Sequence, residues 1–459
     1  MLVPKLEKQI GIEIYATHSL GIGGVIRQHI EDFVVEEVLV DGSKAEVSSS
    51  LVSHRTLGCT NLRNHYLLCM LVKRNWDTLS AVKAVADQLD ISMGRIHICG
   101  IKDAKAVTAQ HITIEGISIE DIEKVHVKDI NLRPVGYFRN KLSSYYLLGN
   151  SFKIFIKSIA HPESAIRKRL AQTCDELDSI GGTPNFFGHQ RFGTTRPITH
   201  LVGKAVVERN FRKAAMLFLA KPSPHEHPDS RQAREELQAT HDFRKALSRF
   251  PKQLRYERLM IEHLAEKPDD YVGAFRKLPI KLRELFPQAC QSYLFNRFLS
   301  KRIANRLPLC RAEVGDYAVN MDRSGLPMVT MQKMSNADTV LEINKAIEAG
   351  KMRLALPLVG FRQRSSQGAQ GEIERQILEE ERVSPENFKI NAMPEISLEG
   401  ELRTIIAQLS NFSLSEIGND LANPSKHNAK VSFTLHRSSY ATIILRELMK
   451  PRNPLKSGF

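Results

Sequence analysis

Gly100-Ile101-Lys102-Asp103-Ala104-Lys105-Ala106-Val107-Thr108-Ala109-Gln110 is a charged turn set between two short apolar runs, Ile96-His97-Ile98-Cys99 before it and His111-Ile112-Thr113-Ile114 after it. Both runs alternate with period two and read as strands, with the glycine, the lysines and the aspartate as their connection. Asp103 is therefore expected at a strand end, in a basic setting. On its own, an aspartate in a surface turn is a turn former that bonds its own backbone. A chemical role for it has to be supported from elsewhere in the chain.

Upstream of the turn, Val34-Val35, Val38-Leu39-Val40 and the run from His65 to Val72 have the composition of strands. Asp77 has the place of an N-cap for a helix carrying Leu79, Val82, Val85, Ala86 and Leu89 at three- and four-residue spacing. The order strand, helix, strand, turn, strand up to residue 114 predicts an α/β or α+β layered architecture. Gly21-Ile22-Gly23-Gly24 matches no phosphate-cradling pattern in register with a helix and reads as a turn between strands.

Downstream, residues 133–157 hold Arg133, Arg139, Lys141, Lys153 and Lys157 with no acidic residue, interleaved with Tyr137, Phe138, Tyr145, Tyr146, Phe152 and Phe155. Such a segment suits nucleic acid: cations meet phosphates and exposed rings stack on bases, unless the rings are the core faces of strands. A helix is expected from about Pro162 to Ile180, ended by Gly181-Gly182. The glycine-punctuated aromatic segment Thr183–Gly193 is too unusual for a plain connector. His225-Glu226-His227 lacks metal-site spacing and reads as a solvated loop. A mainly helical region to about Arg306 includes Phe243–Tyr256, with five cations and no acid, either a second RNA-facing surface or a solvated face. FRQRSSQGAQGE, from Phe361 to Glu372, reads as a flexible connection. Val431–Leu435, the turn His436–Ser439 and a helix from about Tyr440 follow.

The chain has 459 residues, too many for one growing core, so two domains or a core with a large insertion are expected. With 42% hydrophobic and 25% charged residues it has a soluble composition, without an apolar run of membrane-spanning length or the apolar region of a secretory signal. Six scattered cysteines without a CxxC pair argue for reduced thiols, a cytoplasmic location and no structural zinc. The formal net charge of +14 calls for a polyanionic partner.

GIKDAKAVTAQ, PNFFGHQRFG, EDFVVEE, GNSFKI, QSYLFN, LALPLVG and SSYATIILREL, in their places in this chain, resemble the TruD family of tRNA pseudouridine synthases. The resemblance covers most of the chain, and its length is nearer the archaeal and eukaryotic branches. It implies an α/β (α+β) pseudouridine synthase core with a mixed, mostly antiparallel sheet, and a family-specific α/β domain inserted in it. The expected division is residues 1–187 for the first part of the catalytic domain, 188–395 for the insertion and 396–459 for the catalytic C-terminal part.

The implied activity is isomerisation of a uridine in tRNA, position 13 being the family's usual target, with cleavage of the N1–C1′ bond and formation of a C5–C1′ bond. The family's catalytic aspartate falls on Asp103, with Arg27 and Asn185 as supports. Arg27 would keep the acid ionised and aimed, and Asn185 would bond the acid or the uracil edge. A base inside stacked RNA must be flipped out and held by stacking. Phe187 is the ring expected to do so, with Phe33 and Tyr440 lining the pocket. Lys102, Lys105, Arg139, Lys141 and Arg191 are the expected RNA contacts. The reaction implies no metal, no other cofactor, no membrane and no obligate protein partner. Two other readings are weighed. One is a tRNA-binding or RNA-folding protein without turnover. The other is a metal-dependent nuclease, disfavoured because the sequence offers no carboxylate cluster for two ions.

Overall fold

The computed structural model describes residues 2–48, 56–420 and 423–459. Strands β1 (Phe33–Leu39), β2 (Tyr66–Arg74), β3 (Ile96–Ile98), β4 (Val107–Glu115), β5 (Ile130–Phe138) and β6 (Leu147–Ile159) come first. Then come β7 (Thr183–Pro184), β8 (Tyr317–Met321), β9 (Pro327–Met334), β10 (Met352–Leu358), β11 (Glu401–Thr404) and β12 (Ile406–Ala407). A long hairpin, β13 (Leu409–Asp420) and β14 (Asn423–His436), completes the set.

An eight-stranded sheet is the centre of the molecule, in the order β13-β14-β6-β1-β4-β2-β5 with β3 also paired to β4. Only β1 and β4 run parallel; the other pairs are antiparallel, so the sheet is mixed and mostly antiparallel as expected. Strand β4 is central, and eight of its nine residues are buried. The alternation at His111–Ile114 therefore does not mark a solvated face. His111 donates its backbone N–H to Glu37, and Thr113 Oγ1 accepts from Leu142 N, so the polar alternates are satisfied inside.

The helix Thr78–Gln88 forms where its pattern places it, with Asp77 accepting from Ser80 N and Val82, Val85 and Ala86 buried. Leu79, expected on the same face, is exposed. The helix Glu163–Ser179 also matches, burying Ile166, Leu170 and Leu177. Helices from Thr199 to Ala304 and a four-stranded antiparallel sheet, β11-β10-β8-β9, form the other half. The 25-residue helix Ile280–Ala304 lies between that sheet and the shorter helices, with Phe295, Phe298 and Leu299 in one core and Phe286 in the next.

Several expectations are corrected. Gly21–Gly24 has no strand before it; Ile22 and Gly23 donate to Leu448 O and Met449 O, and Val25 then bridges Lys157 in β6. The supposed flexible connection enters the helix Gly368–Glu381. Its polar residues are used inside: Ser366 N and Gln370 Nε2 donate to buried Glu374. In His225-Glu226-His227 the glutamate is not solvated but accepts from Arg234 and Ser223 N. In the basic segment 133–157, Tyr137, Phe138 and Phe152 are core residues and Tyr145 is exposed. Lys153 and Lys157 close on Glu36 and Asp32. In the second basic run, Lys245 and Arg249 share Glu236. Among the described residues no helix is long and apolar enough to cross a membrane.

Candidate active site

Asp103 does not belong to a strand. It lies in an irregular loop, residues 99–106, between β3 and β4, while Val107–Gln110, expected in the connection, belong to β4; the loop is held from four sides. Lys73 Nζ, near the end of β2, donates to Asp103 O at 2.8 Å and to Trp76 O at 2.6 Å. Thr78 Oγ1, at the start of its helix, accepts from Lys102 N at 2.9 Å. Gln110 Nε2 reaches back to Gly100 O at 3.2 Å. The fully buried Glu37 carboxylate takes Lys102 Nζ at 2.7 Å and His111 N at 2.8 Å, tying the two ends of the loop to β1. Burial pushes the Lys73 ammonium down to about 8, opposed by the charges of Asp103 and Asp77.

With its backbone fixed, Asp103 turns a partly exposed carboxylate to Arg27, whose Nη2 lies 3.0 Å from Oδ1. Arg27 has a left-handed backbone, φ +59°, and its guanidinium sits 4.0 Å above the Phe33 ring. Its other end is also held: Nη1 donates to Gly458 O at 3.2 Å, and Ile26 N donates to Ser457 O at 3.0 Å. Gly458 has φ +89°, and a Cβ there would lie 2.1 Å from Ile26 O, so only glycine fits. Burial lowers the Arg27 pKa and the Asp103 charge raises it.

Arg27, Phe33, Asp103, Gln190 and Tyr440 line one cavity of about 430 Å³. Its apolar wall comes from Phe33, Val35 and Phe152, and its charged floor from Asp103 and Arg27. The arrangement offers a carboxylate, a fixed cation beside it and an aromatic rim, in a space suited to a planar heterocycle.

Three expectations need revision, those for Lys102, Asn185 and Phe187. Lys102 lines the cavity, but its ammonium is sealed against Glu37 and is not available to a phosphate. Asn185 does not reach Asp103: its Oδ1 accepts from Arg403 Nη2 at 2.6 Å and its Nδ2 donates to Thr404 O at 3.0 Å. Phe187 is buried, packed on Phe295 and Tyr440, and lies under the Arg403 guanidinium at 4.0 Å. It lines a neighbouring cavity and not the one at Asp103. Arg191 is with it, donating to Ser292 Oγ and Gln288 Oε1. Tyr440 is the ring common to both cavities. Lys105, Arg139 and Lys141 are exposed.

Lys73, Gly458 and Arg403 were missed in the sequence. The one readable signal was Lys73, a cation directly following the apolar run Leu67–Val72 inside a strand. Gly458 and Arg403 act through partners hundreds of residues away and leave no local pattern.

The family model described as tRNA pseudouridine synthase D (TruD) matches residues 9–448. A chain from Methanosarcina acetivorans named probable tRNA pseudouridine synthase D is 40% identical over 450 residues, 98% of each chain. A like-named chain from Methanopyrus kandleri is 38% identical, over 84% of this chain and 86% of its own. A TruD crystal structure from Methanosarcina mazei superposes with a TM-score of 0.84 at 39% identity, covering 99% of this chain and 100% of that one. The motifs around Asp103, Asn185 and Tyr440 are thus parts of one inherited frame, and the chain belongs to the tRNA pseudouridine synthase D (TruD) family.

Proposed function

We propose that this protein isomerises uridine 13 of tRNA to pseudouridine, with Asp103 as the nucleophile. The observation that carries the reading is the Asp103–Arg27 ion pair, 3.0 Å long, on the floor of the aromatic-rimmed cavity. A carboxylate is already ionised at neutral pH and needs no base to activate it. Arg27, fixed by Phe33 and Gly458, holds that charge on one bearing. The flipped uracil enters against Tyr440 and Phe33, Asp103 bonds to the substrate at C1′ or C6 and the N1–C1′ bond breaks, the base turns, and C5 bonds to C1′ with release of the bond to Asp103. The C5 proton leaves and N1 gains one, so the reaction is balanced without an external reactant.

tRNA is the substrate and partner on this reading, and its compartment is the cytoplasm. The division at 187/188 and 395/396 is proposed with it, although β11 extends the inserted sheet to Thr404. The test is pseudouridine formation in a tRNA transcript. Asp103→Asn is expected to abolish conversion while tRNA binding stays within about threefold. Undiminished turnover in that variant would sink the assignment, and binding without turnover in the wild type would favour a tRNA-folding protein.

A further inference from the structure

Four arginines are buried among the described residues: Arg234, Arg302, Arg403 and Arg446. Three have carboxylate partners. Arg234 meets Glu226 and Glu257, Arg302 meets Asp316, and Arg446 meets Glu7 and Glu447, all within 2.9 Å. Arg403 has no ion pair among the described residues. Its Nε and Nη2 donate to Asn185 O, Asn185 Oδ1 and Ser438 O, all neutral, and its Nη1 has no hydrogen bond.

A second cation shares its surroundings. Arg191 lies 5.6 Å from the centre of the same Phe187 ring and bonds only neutral groups, Ser292 and Gln288. Burial pushes Arg403 down to about 10; Tyr440 opposes this, the like charge of Arg191 adds to it, and Glu401 opposes it again. Both line a cavity of about 770 Å³, with Gln288, Gln291 and Tyr440. Two acids line it as well: Glu399, paired with Arg362, and the exposed Glu401, which makes no ion pair among the described residues but whose charge acts on Arg403. Desolvating two guanidinium groups around one ring is unfavourable unless an anion completes the site. Their planar forks match a phosphate's oxygens.

We propose that Arg403 and Arg191 form a phosphodiester subsite, which grips the RNA backbone next to the nucleotide whose base enters the Asp103 cavity. The inference rests on the tRNA reading given above. Tyr440, which walls both cavities, separates base from backbone: uracil on the Asp103 side, phosphate on the arginine side. The role expected of Phe187 changes accordingly, from a stacking ring to the platform on which both guanidinium groups lie.

A binding cycle between protein and RNA tests the subsite. Wild type, Arg191→Gln and Arg403→Gln are titrated with tRNA and with the same tRNA carrying neutral methylphosphonate linkages on either side of uridine 13. Each change alone is expected to weaken binding about tenfold, and Arg191→Gln to lower the salt slope by about 0.7–0.9. Combined, they are expected to cost no more than one alone. Additive losses would overturn the proposal. Arg191 is half-buried, so its variant reads the site even if Arg403→Gln fails to fold. Because the cycle measures binding, a wild type that binds but converts no uridine would sink the catalytic reading alone. Additive losses in a converting enzyme would sink the subsite alone.

Discussion

The reactivity proposed for Asp103 requires a fixed group, and its backbone is held by Lys73, Thr78 and Gln110 and its carboxylate by Arg27. Arg27 in turn depends on Gly458. We expect Gly458→Ala to push Ile26 and Arg27 aside and to lower kcat at least tenfold at temperatures where the variant remains folded. In an Arg27→Ala background the same substitution is expected to have no further effect; independent losses in this double-mutant cycle would refute the link. The sequence pointed to Asp103, Arg27, Phe33 and Tyr440 through their motifs, and the structure gathers them in one cavity. It misled at Lys102 and Asn185, because a polar residue in a motif can face either a ligand or an interior partner. Glu37 and Arg403, which decide those two cases, are far away in the chain. The Gly458 contact spans 431 positions and has no local signature.

Among the elements, helices with a strong cap and a clear apolar face, Thr78–Gln88 and Glu163–Ser179, were legible. The helix Gly368–Glu381 was not, since its first turn is made of Gly, Ala and Gln and its fixed points are a buried glutamate and distant donors. Glu374 offers a test of that packing. Burial pushes its carboxyl up to about 7, against the hydrogen bonds from Ser366 and Gln370. Between its ordinary value of 4.5 and about 7 the folded state holds the proton that the unfolded chain has released, so stability from this group falls as pH rises. Glu374→Gln is therefore expected to gain on the wild type across that window, by up to about 1.4 kcal/mol per pH unit. Parallel denaturant titrations at pH 5 and pH 8 check it, and a difference independent of pH would refute it.

For the whole molecule, the +14 charge is distributed unevenly. Lys44, Lys102, Lys153 and Lys157 are neutralised by acids of the first sheet, while Lys105, Arg139 and Lys141 remain exposed. Replacing Arg139 and Lys141 by alanine should flatten the log–log salt dependence of tRNA binding by about 1.4–1.8, two phosphates' worth; an unchanged slope would return them to ordinary solvated surface. The same scale shows a cost of the topology. Strand β6 must wait for β14, its partner along nearly its whole length. Roughly 260 residues separate Ile159 from Asn423, so at about 5–20 residues per second the newly made edge stands open for about 13–50 s during synthesis. An unpaired edge is a template for pairing with other chains. A ribosome that stalls between β6 and β14 thus releases a chain with an open edge and no Tyr440 wall. Unfinished copies are material for chaperones and proteases, and none can act as a half-working enzyme.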